Sequence, residues 1–157
     1  MSRFNVLVAL AVALGSSASA AADEIKLDLK AFKWKAAFEG GEALGGYDEG
    51  EGRFNFLTNG TATGEVTIPA DGEYTITVEA SCNEAKKVFA AFKLSVGDVV
   101  VAKEHFLKAE EPKPYTFTAT LKKGKQPLAI QFLNDEFKEG EYDRNLYVHA
   151  VKLEPKK

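Results

Sequence analysis

From residue 25 onward, apolar and polar residues alternate with a period of two along most of the chain, the pattern of strands that bury one face. Ile25, Leu27 and Leu29 alternate with Lys26, Asp28 and Lys30. The parity then slips, with Phe32, Trp34, Ala36 and Phe38 on the opposite phase, which predicts a bulge or bend. Gly40-Gly41 and Gly45-Gly46 punctuate a long loop that runs on through 47–52. Phe54 and Phe56 resume the alternation before an Asn59-Gly60 turn, and Val66 and Ile68 carry it to Pro69. Tyr74, Ile76, Val78 and Ala80 form the most regular half-buried strand. Residues 88–96 alternate on even positions, Gly97-Asp98 makes a hairpin turn, and Val99-Val100-Val101 returns. Tyr115, Phe117, Ala119 and Leu121 repeat the theme, as do Leu128, Ile130 and Phe132 after a Lys122-Lys123-Gly124-Lys125 turn. A polar, acidic stretch intervenes before Leu146 and Val148 restart an inward face. No segment of this region keeps a 3.6-residue period for more than two turns. Roughly eight short strands separated by Gly, Asp and Pro turns predict an all-β fold, an antiparallel β-sandwich of jelly-roll type. Neither an internal repeat nor a linker interrupts it, so 21–157 reads as a single domain.

The first twenty residues follow a different pattern. Arg3 precedes an apolar run over 4–14, and Ala18-Ser19-Ala20 offers a small-x-small cleavage site. This predicts a signal peptide over 1–20 and a secreted or periplasmic protein. Such a run is too short to span a bilayer, which needs about 20 apolar residues. Loss of Arg3 takes the formal charge from −3 to −4. A mildly acidic chain lacks the basic footprint of a nucleic-acid binder, and no Lys/Arg-rich helix ties it to a membrane surface. Cys82 is the one cysteine, so no intramolecular disulfide forms, and its position near a strand end predicts a small buried residue.

Catalytic arrangements are mostly absent, and a small hydrolase, which would need a deep cleft with two carboxylates, is the minority reading. His105 and His149 stand outside any motif, and His149 falls within the last predicted strand. No glycine-rich loop joins a strand to a helix in the manner of a phosphate cradle. The segment 132–148 stands apart, because an apolar strand ends at Asn134-Asp135 and the next begins at Asp143-Arg144-Asn145. If those strands pair, Asp135 and Asp143 meet at one end of the sandwich. Their mutual repulsion would be relieved by Ca²⁺, which takes six to eight hard oxygen ligands in flexible geometry. Glu139 and Glu141 are further candidate ligands, and Gly140 lets the backbone bend. The alternative is a solvated acidic hairpin tip without a metal.

The run Asn134-Asp135 … Asp143-Arg144-Asn145-Leu146-Tyr147-Val148 resembles the C-terminal signature of calcium-dependent xylan-binding modules, the carbohydrate-binding families thirty-six and sixty. Asn59-Gly60, Val66-Thr67-Ile68-Pro69, Gly72-Glu73-Tyr74-Thr75-Ile76 and Leu94-Ser95-Val96-Gly97-Asp98 are similar to the group in a less specific way. The resemblance implies a non-catalytic module in which vicinal hydroxyls of a xylan-like polysaccharide chelate a loop-bound calcium. It implies Asp135 and Asp143 as ligands, with Glu139, Glu141 and loop carbonyls as additions. Arg144 would pair with a carboxylate. Asn134, Phe137, Tyr142 and Asn145 join Arg144 as candidate carbohydrate-binding residues, the two aromatics by stacking. Trp34, lying with Phe32 and Phe38, is assigned to the core. The chain departs from the family at His149, where an acidic residue is common, which puts a second, structural calcium in doubt. The acidic Asp48-Glu49-Glu51 loop is the candidate to compensate.

The rival reading is a secreted protein-interaction or structural β-sandwich in which calcium only staples the loop or is missing. A non-covalent protein partner is compatible with either reading. Open coordination positions on the metal discriminate between them.

Overall fold

The computed structural model describes residues 23–157; the expected signal peptide, 1–20, lies outside them. Among the described residues the ordered elements are strands and short 3-10 turns, and no helix is long and apolar enough to cross a membrane. Along the chain the strands are β1 (Ile25–Lys26), β2 (Lys33–Ala36), β3 (Gly45–Asp48), β4 (Arg53–Phe56), β5 (Gly60–Ile68), β6 (Gly72–Cys82) and β7 (Ala91–Val96). They continue with β8 (Val99–Phe106), β9 (Lys113–Leu121), β10 (Gly124–Phe132), β11 (Glu136–Lys138), β12 (Tyr142–Arg144) and β13 (Leu146–Pro155).

Two antiparallel sheets face each other. One runs β3-β4-β13-β6-β9, with β1 also on β13; the other runs β2-β5-β10-β7-β8. The core lies between them and follows the alternation. Tyr74, Ile76, Val78 and Ala80 from one sheet meet Val66, Ile68, Leu94, Val96, Leu128 and Ile130 from the other, all buried. Cys82 is buried as expected, its thiol donating to the Ala109 carbonyl at 3.5 Å.

Two local expectations are corrected. The parity slip near residue 30 is neither a bulge nor a simple bend: it is a 3-10 turn, Leu29–Ala31, whose first N–H groups are capped by Asp28 accepting from the Lys30 N–H. The long loop over 39–52 contains the 3-10 turn Glu42–Leu44 and the edge strand β3, paired with β4. Gly45 and Gly46 leave β3 without side chains to alternate, so periodicity is silent there. A bulge does occur in β13, where the register with β6 shifts between Val148 and Ala150. Inward residues therefore change parity, from Leu146 and Val148 to Val151 and Leu153.

Trp34 packs edge-on against Phe56, with ring centroids 5.5 Å apart, and donates its indole N–H to the Gly41 carbonyl at 3.2 Å. Glycines make room for it. A Cβ on Gly45 would lie 2.3 Å from the indole, and one on Gly60 would lie 2.3 Å from it and 2.7 Å from the Lys35 carbonyl. Gly60→Ala should therefore destabilise the fold by about 1–3 kcal/mol, the usual cost of overpacking, as read from urea denaturation. An unchanged midpoint would show that the indole can move aside.

Candidate functional site

Strand β10 leaves its sheet at Phe132, and β13 enters the opposite sheet at Leu146. These two strands do not pair with one another. What brings Asp135 and Asp143 together is the separate β11–β12 hairpin, with Glu136 opposite Arg144, Phe137 opposite Asp143 and Lys138 opposite Tyr142. Cross-strand partners share a face, and successive residues alternate. One face of the hairpin thus carries Phe137 and Asp143, and the other carries Glu136, Lys138, Tyr142 and Arg144.

The Phe137/Asp143 face looks onto a cleft of about 330 Å³, lined also by Asp135, Thr58, Leu57 and Leu44. Asp135 is fixed by the β4–β5 connection. Its N–H donates to Asn59 Oδ1 at 2.8 Å, and its Oδ2 accepts from the Thr58 hydroxyl at 3.0 Å. Its other oxygen, Oδ1, is buried with no hydrogen-bond donor. Asp143 Oδ2 accepts from the Asn145 amide at 3.0 Å, and the Oδ1 of that same Asn145 is likewise buried and without a donor. Burial pushes the Asp135 carboxyl above its ordinary pKa, the Thr58 hydroxyl opposes the shift, and the nearby Asp143 charge adds to it.

Buried oxygens without donors are uncommon, because desolvation leaves them at a cost of about 1–3 kcal/mol each. Here two such oxygens accompany a pair of mutually repelling carboxylates. Carboxylate and amide oxygens are the hard donors that Ca²⁺ takes, so the donor set fits that ion. Among the described residues no three acidic, histidine or cysteine side chains converge. Glu139 and Glu141 are not gathered with the aspartates: both are exposed near the hairpin tip, and Glu141 pairs with Lys138 at 2.5 Å.

Several expected contacts take another form. Arg144 does not pair with a carboxylate. Its buried guanidinium donates to the main-chain carbonyls of Val88 at 2.9 Å, Asn134 at 2.5 Å and Ala85 at 2.5 Å. Asn134 is also turned to the backbone, accepting from the Ala91 N–H at 2.7 Å and donating to the Phe89 carbonyl at 3.0 Å. Tyr142 lies on the hairpin face away from the cleft, its ring beneath the Lys86 ammonium at 5.1 Å. Phe137 is open to solvent, with 66 % of its surface exposed. Trp34 takes its place against the core rather than in the cleft.

The opposite wall went unnoticed in the sequence. Leu44, Leu57 and Thr58 reach the cleft from connections far upstream, and the Asn59-Gly60 turn was the one signal in the neighbourhood. His149 holds the Ser81 hydroxyl at 2.7 Å, and burial together with the Arg53 charge lowers its pKa. In the 48–51 loop, Asp48 accepts from the N–H groups of Gly50 and Glu51, and Glu49 pairs with Lys30 at 2.6 Å. Those carboxylates are already committed to protein donors.

This sandwich is shared with known sugar-binding modules. It superposes on the CBM36-1 domain of a multidomain xylanase from the hindgut metagenome of Trinervitermes trinervoides with a TM-score of 0.63, at 12% identity over 86% of this chain and 99% of that one. A carbohydrate-binding module CBM36 in complex with calcium and xylotriose aligns at 0.58 and 14% identity, over 84% of this chain and 99% of that one. A family 35 carbohydrate-binding module from Clostridium thermocellum aligns at 0.58 and 12% identity, over 84% and 98%. The likeness fixes the fold, an antiparallel β-sandwich of the kind those modules have. A family model, described as a Ca-dependent carbohydrate-binding module, xylan-binding (CBM60), matches residues 75–157, which take in the β11–β12 hairpin. The chain belongs to this family, whose members are non-catalytic binding modules of xylan-binding type. No curated protein matches it in sequence.

Two outcomes follow from this geometry. Arg144→Ala removes charge-assisted donors from three carbonyls, of which Ala85 and Val88 keep each other's N–H. It should cost about 3 kcal/mol in a denaturant titration, with Arg144→Lys recovering only part because lysine lacks the planar fork. Asp135, with a folded-state pKa above its unfolded one, contributes instability that appears as pH rises through that range and disappears below it. In EDTA, Asp135→Asn should melt above the wild type at pH 7. That advantage should vanish on acidification toward the ordinary aspartate range, whereas a pH-independent difference would contradict the assignment.

Proposed function

We propose that the protein is a secreted, non-catalytic module that holds xylan-like polysaccharide at the β11–β12 cleft with calcium as its cofactor. The observation that carries this reading is the pair of buried, donorless oxygens, Asp135 Oδ1 and Asn145 Oδ1, beside the Asp143 carboxylate. Asp135, Asp143 and Asn145 would hold the ion. A calcium ion held there would supply hard-acid coordination that vicinal sugar hydroxyls could take up in place of water.

The remaining residues position and shape the site. Thr58 and Asn59 fix Asp135, and the Asn145 amide orients Asp143. Phe137 presents an exposed ring on the cleft face, suited to an apolar pyranose surface, with Leu44 and Leu57 on the far wall. Arg144 and Asn134 act behind this surface, holding the hairpin to the sandwich rather than touching sugar. Export rests on the apolar run 4–14 and the Ala18-Ser19-Ala20 site; the mass of the exported protein should correspond to a start at residue 21.

Retention of the mature protein on insoluble xylan with calcium, and release by EDTA, tests the reading. Asp135→Ala and Asp143→Ala should each weaken retention at least about tenfold, the effect expected from losing a charged ligand, while leaving a cooperative melt. A variant that held xylan in full, or wild-type retention indifferent to EDTA, would defeat the mechanism.

A further inference from the structure

The outer face of strands β2, β5, β10 and β7, four of the five strands in their sheet, carries a charge opposite to that of the whole chain. Register places Lys35, Thr61, Gln131 and Lys93 in one row across four strands, all on the side away from the core. Lys33 leads the next row, opposite Thr63. Lys125 stands further along β10 on the same side. Against these four lysines, the outward positions of the four strands hold a single carboxylate, Glu65, which Lys125 already neutralises at 2.6 Å. The adjoining edge strand β8 adds one exposed residue of each sign beside Lys93, Lys103 and Glu104, so the face keeps its positive balance. Lys33, Lys35 and Lys93 have no salt-bridge partner among the described residues, on a chain whose formal charge is −3. Beside Lys33 a groove of about 270 Å³ opens between Ala31, Thr63 and Pro127.

We propose that this face is a second, calcium-independent binding surface for an acidic, uronate-bearing polysaccharide. Adjacent strands stand about 4.8 Å apart, so the Lys35–Lys93 row spans roughly 14 Å with a hydroxyl and an amide between its cationic ends. Ammonium groups at the two ends, with a hydroxyl and an amide between them, suit a chain whose every unit offers both a carboxylate and hydroxyls. Nucleic acid is the poorer match, because the row offers neither the arginine forks that grip phosphates nor the aromatic rings on which bases stack. The lysines sit on paired strands, so the spacing of their attachment points is set by the sheet.

The test uses mature protein in EDTA, which silences the hairpin cleft, with polygalacturonate as the probe in affinity electrophoresis. Retardation should be strong at low salt and lost at high salt, since exposed charges are screened beyond about 10 Å at 0.1 M. The double variant Lys35→Gln/Lys93→Gln should weaken it about tenfold while leaving calcium-dependent retention on neutral xylan unchanged. Full retardation of that variant overturns the proposal, as does equal retardation by double-stranded DNA, which would mark a nonspecific cationic face. The two readings fail separately, because one is read with calcium on neutral xylan and the other without calcium on a polyanion.

Discussion

The buried Arg144 guanidinium, shared among the carbonyls of Ala85, Val88 and Asn134, is the contact that ties the hairpin and the 85–88 turn to the sandwich. Asn134 lies in the short connection from β10 to the hairpin, and Arg144 is the last residue of β12. The same side chain clasps both carbonyls that flank the turn at Lys86 and Lys87, where φ is +53° and +62°. Two consecutive left-handed residues without a glycine are costly, and such a turn persists where its surroundings over-determine it. A charged donor in a buried place gives the clasp its strength, since charge-assisted hydrogen bonds are roughly twice as strong as neutral ones. Asp135 follows Asn134 directly and Asp143 precedes Arg144, so the two carboxylates inherit their positions from this one group.

The site is consequently divided into layers by the parity of a short hairpin. Residues of one parity look into the cleft, and those of the other secure the hairpin from behind. Cleft-facing Asp135, Phe137 and Asp143 have an incomplete complement of protein partners. Arg144, Glu136 and Tyr142, on the securing side, are engaged with backbone or with Lys86. The carboxylate pair is held close at a cost in repulsion and desolvation, which a structure selected for stability alone would avoid.

Most strands of the sandwich were legible because one buried face imposes period two, and Tyr74 to Ala80 or Leu128 to Phe132 could hardly be read otherwise. What escaped had no side chains to alternate, as in β3, or broke the pattern locally, as at the Asp28-capped turn and the β13 bulge. In the site, Asp135 and Asp143 were legible as charges that close on one another. Their neighbours Leu44, Leu57 and Thr58 were not, because Thr58 meets Asp135 across 77 residues and no local pattern encodes that approach. The role of Arg144 was misjudged for a related reason. A charged residue in a surface motif reads as paired with an acid, whereas burial here turns it toward main-chain carbonyls on two separate segments, the 85–88 turn and Asn134.

Trp34 adds a property of another kind. It is the sole tryptophan, wedged against Gly45 and Gly60 and tethered to the Gly41 carbonyl. The same 41–45 segment carries Leu44 to the rim of the cleft. The indole is thus a built-in fluorophore at the base of one wall, and displacement of that wall by an incoming chain would register in its emission without any label.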